Sequence, residues 1–137
     1  MKVSTKGRYG LMLLVDLAAS SVANEPVSLK SIAERLGLSE HYLEQLIAPL
    51  RNAGLVRSVR GARGGYTLAR NGAEITAFEA LIVLEGPLEI VGGDIDDGFG
   101  EFWRTVEFAI AKELQSITLK DLLNMRELHS ENYMYYI

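Results

Sequence analysis

The 137-residue chain contains no cysteine. Disulfides, thiolate-held zinc, thiolate-held iron–sulfur clusters and thiol redox switches are therefore excluded within it. A cysteine-free chain fits a reducing compartment. Long apolar runs are absent as well. The longest uncharged run near the start, Tyr9 to Val15, falls far short of the ~20 residues needed to span a bilayer. Met1-Lys2 leads into a helix with no small-residue cleavage site, which does not read as a secretory signal. The expectation is a cytoplasmic protein with no membrane association. Positive charge is scarce overall, and the net charge is −4. Its distribution is uneven. Residues 1–70 hold ten Lys/Arg against five Asp/Glu, a balance of +5, and residues 71–137 hold four against thirteen, a balance of −9. Halves of opposite sign suit different partners: the first can approach phosphates, and the second is repelled by them.

What is present is enough for a packed core. Apolar residues make up 48% of the chain, and the length fits one domain with a short appended element. Ser4-Thr5 predicts the start of a helix running to about Val22. Its run Leu11-Met12-Leu13-Leu14-Val15, with Ala18 and Ala19, is apolar around most of its circumference and so is buried on more than one side. After Asn24-Glu25-Pro26, Ser28 caps a second helix with Leu29, Ile32, Ala33 and Leu36 at i, i+3, i+4 and i+7, ended by Gly37. Ser39 caps a third helix with Leu43, Leu46, Ile47 and Leu50 at the same spacing, and the stripe continues through Pro49. Leu55 to Val59, the turn Gly61-Ala62-Arg63-Gly64-Gly65 and Tyr66-Thr67-Leu68 read as a β-hairpin.

Thr76-x-x-Glu79 predicts a capping box for a fourth helix, Ala77 to Leu84, ended by Gly86-Pro87. Residues 88–99 are glycine- and aspartate-rich and predict an acidic loop. A helix follows from about Gly100 to Ser116, in which Trp103, Val106, Ile110, Leu114 and Ile117 recur at about the 3.5-residue period of a coiled-coil seam. Thr118-x-x-Asp121 caps a last helix, with Ile117 and Leu122 placed as a hydrophobic staple. The tail Tyr133-Met134-Tyr135-Tyr136-Ile137 is apolar enough to dock rather than float.

Helices two and three alone are equally compatible with an ordinary helical hairpin. The outward residues decide between the two. With the apolar stripe inward, His41, Glu44, Gln45, Ala48 and Asn52 face out. Gln can read adenine, Glu the cytosine amine, and His can donate or accept. Arg57, Arg60, Arg63 and Arg70 follow with no carboxylate among them, on a hairpin whose glycine corner turns sharply and permits close approach. Arginines at such a tip suit phosphates and narrow minor grooves. Lys2, Lys6 and Arg8, beside Ser4 and Thr5, add a helix start that can seat a phosphate.

The candidate DNA contacts are therefore Ser4, Thr5, Lys6, Arg8 and Tyr9 at the start of the chain. In the helix-turn-helix they are Ser28, Ser39, His41, Tyr42, Glu44, Gln45 and Arg51, and in the wing Arg57, Arg60, Arg63, Gly64 and Gly65. Other chemistries find no support. Asp94-x-Asp96-Asp97-Gly98 lacks the closing Glu and the glycine position of a calcium loop. His41 and His129 stand alone, without a second ligand at i+3 or i+4. There is neither a P-loop nor a nucleophile in an elbow or dyad context. No metal, no cofactor and no enzymatic activity are expected.

Several runs resemble a known family. They are Ser4-Thr5-Lys6-Gly7-Arg8-Tyr9-Gly10, Tyr42-Leu43-Glu44-Gln45-Leu46, Leu50-Arg51-Asn52-Ala53-Gly54-Leu55-Val56 and Val59-Arg60-Gly61-Ala62-Arg63-Gly64-Gly65-Tyr66. In this order, and over essentially the whole chain, they look like the Rrf-type winged-helix regulators. The resemblance implies a mainly α fold with a small β-hairpin wing, a winged helix-turn-helix plus a long dimerisation helix, assembled as a homodimer on double-stranded DNA. Residues 1–87 would form the DNA-binding domain, with the helix-turn-helix at 28–54 and the wing at 55–70. Residues 100–137 would supply the dimerisation helix, its seam at Trp103, Val106, Ile110, Leu114 and Ile117, and the C-terminal helix and tail. By the same resemblance His41, Glu44 and Arg60 read bases or the minor groove, and residues near Tyr9 hold the backbone.

The iron–sulfur sensors of that family carry three cysteines where this chain has Glu89-Ile90-Val91-Gly92-Gly93-Asp94-Ile95-Asp96-Asp97-Gly98, so no such cluster can form here. Ser39 to Leu46 and the ending at Ile137 are similar instead to the family's repressors of cysteine metabolism. That similarity implies control by cysteine synthase (O-acetylserine thiol-lyase), which binds the regulator and promotes DNA binding until O-acetylserine breaks the complex. Two alternatives stay open. One is a small effector bound between the dimerisation helix and the winged domain. The other is a winged helix that binds only protein, against which the arginine wing argues.

Overall fold

A computed structural model describes residues 2–20, 25–93 and 96–135, excluding the side chains of 133–135. Its elements in chain order are α1 (Thr5–Ser20), α2 (Leu29–Leu36), α3 (Glu40–Asn52), β1 (Val56–Val59), β2 (Gly65–Leu68), α4 (Ala77–Glu85), α5 (Gly100–Gln115) and α6 (Leu119–Tyr135). The fold is thus mainly helical with one antiparallel hairpin. The expected extension of α1 to Val22 and the docking of the C-terminal tail lie outside the described residues.

Local signals set the boundaries. Ser28 accepts from the Ser31 N–H and Ser39 from the Tyr42 N–H, each at 3.1 Å, satisfying donors that have no partner in the first helical turn. Gly37, at φ 67°, closes α2 in the left-handed region that costs glycine little. Thr76 with Glu79 forms a reciprocal capping box, and Thr118 with Asp121 forms another, at 2.9 and 3.1 Å. Helix α3 continues through Pro49 to Asn52.

Helix α1 is the axis of the core. Leu13, Leu14 and Leu17 are buried among Ile32 of α2, Leu43, Leu46, Ile47 and Leu50 of α3, Ile75, Leu84 of α4 and Leu119 of α6. Its circumferential apolarity is explained by these neighbours on several sides. Gly7 and Gly10 let α4 approach closely, since a Cβ on Gly10 would lie 2.4 Å from a Leu84 methyl.

The wing pairs Val56 with Leu68, Arg57 with Thr67, Ser58 with Tyr66 and Val59 with Gly65. A further bridge holds it to the helix-turn-helix: Val27 and Tyr66 exchange backbone hydrogen bonds at 2.8 Å each. Residue 119 marks where the C-terminal part attaches. The Leu119 N–H donates to the Ile75 carbonyl at 2.9 Å, the Ala77 N–H to that of Ile117 at 2.8 Å, and the Leu119 side chain is fully buried. Among the described residues, the stretch 86–99 holds neither helix nor strand, and no helix is long and apolar enough to cross a membrane.

Candidate nucleic-acid interface

Helix α3 presents two opposed faces. Leu43, Leu46, Ile47 and Leu50 are buried, and that burial turns His41, Glu44, Gln45, Arg51 and Asn52 to solvent, with Ala48 half-buried. His41 and Gln45, one turn apart, approach through their Nε2 atoms at 3.3 Å. Which of the two groups donates depends on the His41 tautomer. This contact restricts how the Gln45 amide can be offered to a base pair. Tyr42 does not share the outward row. It is half-buried and meets Tyr9 edge-on, with ring centroids 6.1 Å apart and planes at 88°. The pair ties the start of α3 to α1.

A scaffold contact that sequence reasoning missed joins α1 to α2. Asp16 of α1 is buried, and Arg35 of α2 grips its carboxylate bidentately, Nε to Oδ1 and Nη2 to Oδ2, each at 2.9 Å. The hydrogen bond to Asp16 holds the Arg35 guanidinium above its ordinary pKa, against a smaller opposing effect of burial. A single carboxylate in the apolar run of α1 was the available signal.

On the wing, Arg57, Arg60 and Arg63 are exposed. Gly61, at φ 115°, makes the corner, and its carbonyl accepts from the Gly64 N–H at 2.9 Å. Gly64 and Gly65 do permit close approach, but to the chain's own backbone. A Cβ would lie 2.2 Å from the Val59 carbonyl oxygen at Gly64 and 2.2 Å from that of Val27 at Gly65. Arg70 departs from the expected cluster of wing arginines, because it pairs at 2.6 Å with Glu79, the capping-box residue of α4.

At the start of α1, Ser4, Thr5, Lys6 and Arg8 are exposed. The helix end expected to seat a phosphate already holds a carboxylate. Glu85 Oε1 accepts from the Ser4 N–H at 2.9 Å and from the Ser4 hydroxyl at 2.5 Å.

The seam residues of α5, Trp103, Val106, Ile110 and Leu114, and Ile117 just beyond it, are half-buried, and no residue of α5 is fully buried. Ile110 and Leu114 turn toward α4 and line, with Phe78, Leu81 and Ile82, a cavity of about 380 Å³. The large apolar groups left most open are Phe99, Phe102 and Phe108, with Met125 and Leu128 on α6. Phe102 and Ala109, both exposed, lie beside the seam, where the 3.5-residue period alone did not single them out. Asp97 supplies the cap that α5 lacks in its N-cap residue Phe99. Its carboxylate accepts from the Phe99 N–H at 2.8 Å and the Trp103 indole N–H at 3.2 Å.

Comparisons with known proteins follow this architecture. The model of the Rrf2 family, described as an iron-dependent transcriptional regulator, matches residues 3–125. The chain is 49% identical to the HTH-type transcriptional regulator CymR of Bacillus subtilis, with 100% of both chains covered. It is 36% identical to the HTH-type transcriptional regulator IscR of Photorhabdus laumondii, over 93% of this chain and 82% of that relative. Among solved structures, CymR, the global cysteine regulator of B. subtilis, superposes with a TM-score of 0.81 at 49% identity, covering 91% of this chain and 98% of that one. T. potens IscR superposes with a TM-score of 0.77 at 51% identity, covering 99% and 97%.

Proposed function

The chain belongs to the Rrf2 family of transcriptional regulators, and from that premise we propose that it is a cytoplasmic, homodimeric repressor of cysteine-metabolism genes, regulated through a complex with cysteine synthase. The observation that carries the DNA-binding part is the exposed row His41, Glu44 and Gln45 on α3, set beside a wing with three exposed arginines. Helix α3 would enter the major groove, Glu44 accepting from a cytosine amine and Gln45 reading adenine. Arg57, Arg60 and Arg63 would engage phosphates or a narrow minor groove. A dimer formed through α5 would place two recognition helices ~34 Å apart, one helical turn of DNA.

The choice of the cysteine branch rests on chemistry rather than on identity, since T. potens IscR is as similar to the chain as CymR is. The family's description names iron. This chain has no thiolate to hold a cluster, and among the described residues no group of three or more His, Asp or Glu could hold a metal ion. The Asp97 carboxylate, in the stretch between α4 and α5, is engaged in capping α5. The described residues therefore do not fit a resident iron centre, which supports a signal arriving from outside the chain. The acidic second half, repelled from DNA, is the surface on which a protein partner would sit.

The test is co-purification with cysteine synthase, lost on adding O-acetylserine, together with binding to DNA upstream of cysteine-metabolism genes. Glu44→Ala and Arg60→Ala are expected to weaken specific binding, Glu44→Ala by about 1–3 kcal/mol, while assembly is unchanged. If both variants bind as tightly as the parent at the same salt, the DNA-reading assignment fails. The cavity between α4 and α5 favours a second reading, in which a small effector binds there. A melting shift of the isolated protein with a metabolite, and no complex with cysteine synthase, would select it.

A further inference from the structure

Glu85 closes α4 and reaches across to the other end of the sequence. Its Oε1 takes both the N–H and the hydroxyl of Ser4, at 2.9 and 2.5 Å, and Ser4 Oγ accepts in turn from the Gly7 N–H at 3.1 Å. The seat is cut to this shape. A Cβ on Gly7 would lie 2.0 Å from Glu85 Oε1 and 2.9 Å from a Val3 methyl, so at this position glycine admits the carboxylate and the chain start together. The carboxylate also benefits from the positive end of the α1 dipole. On the far side, Lys2, Val3 and Glu85 border the cavity that Ile110 and Leu114 of α5 close, and Gly86-Pro87 follow Glu85 directly.

We propose that Glu85 is a positioning residue for DNA binding. It pins residues 2–4 onto the first turn of α1, so that Lys2, Lys6 and Arg8 are offered to the duplex as one preorganised group. It also joins this end to the segment that leads into α5. The inference rests on the reading that the start of α1 meets DNA phosphates. A carboxylate beside phosphates is electrostatically unfavourable, so its presence there implies an ordering role that outweighs the repulsion.

The experiment titrates the full-length chain and its variants against a duplex that the parent protein selects from a random pool, at fixed salt. Glu85→Ala is expected to bind about three- to tenfold more weakly, the scale of one or two lost hydrogen bonds. Glu85→Gln keeps the acceptor and drops the charge, and should restore parental affinity or better. Gly7→Ala keeps every charge, but its methyl displaces the flexible end of Glu85. It should bind as weakly as Glu85→Ala without a lower melting temperature, because alanine favours the helix interior.

Lys6→Ala separates the two levels of the argument. If it changes neither affinity nor salt dependence, the start of α1 does not meet DNA, and that reading and the proposal fall together. If Lys6→Ala weakens binding while Glu85→Ala and Gly7→Ala bind like the parent or tighter, the reading stands and the proposal is overturned.

Discussion

Helices α1 to α4 each bury residues of their own: eight in α1, Ile32 in α2, four in α3 and three in α4. The sixteen residues of α5 bury none, although their pattern is as amphipathic as that of their neighbours. The first region has its polar ends capped and its apolar side covered within the chain. The second is anchored at its edges, by Leu119 and by the backbone pairing of Thr76 with Thr118, and leaves Phe99, Phe102 and Phe108 open. An amphipathic helix gains most of its stability from a covered apolar face. The contrast therefore separates helices whose apolar faces are covered within the chain, α6 contributing Leu119 to that cover, from a helix whose aromatic groups stay open, the face that the proposed homodimer would cover.

The largest effect should come from the core around α1 and α3. Leu46 is 1% exposed, and Leu46→Ala is expected to cost about 2–5 kcal/mol in chemical unfolding through lost burial and the cavity left behind. Phe102→Asp, at a position 54% exposed, should leave the helical spectrum intact and halve the mass in solution. If Phe102→Asp unfolds an already monomeric chain, α5 belongs to the chain's own core and the contrast breaks.

A middling effect should separate the partners of the ion pair between α1 and α2. The Asp16 side chain is 6% exposed and that of Arg35 45%. Arg35→Ala strands a buried carboxylate and should cost about 1–3 kcal/mol. Asp16→Ala leaves a guanidinium that water can reach, and should cost less. Equal losses in a double-mutant cycle would mean that the burial asymmetry does not govern the pair.

Part of this contrast is legible in the sequence. Caps at Ser28, Ser39, Thr76 and Thr118 can be read because they join residues three apart. The outward row of α3 can be read because four buried positions leave a single face for the rest. Contacts far apart in the chain cannot: Asp16 with Arg35, Val27 with Tyr66, Arg70 with Glu79 and Ser4 with Glu85. Each depends on how separate elements and loops dock, which periodicity does not encode. The same limit applies to α5. Its seam is visible at a 3.5-residue repeat, but the docking of α4 decides that Ile110 and Leu114 turn inward while Phe102 stays open.

The smallest effect concerns the point where the second region begins. The Phe99 N–H, and after it the Trp103 indole N–H, hold the Asp97 carboxyl below its ordinary pKa. A carboxylate depressed in the folded state contributes stability that is present above the unfolded value of about 3.9 and is lost as pH falls through the folded value. The cap should therefore persist through neutral and mildly acidic solution and release only below about pH 3.9. The group is fully exposed, so solvent and salt screen the interaction, and the release should register locally rather than as global unfolding. Trp103 is the sole tryptophan and donates to this carboxylate, so its emission reports the event. Its acid transition should have an apparent midpoint below about 3.9 and disappear in Asp97→Asn, while the melting temperature at neutral pH hardly changes. An identical acid step in Asp97→Asn would mean that the indole follows another group, and that α5 starts without help from this carboxylate.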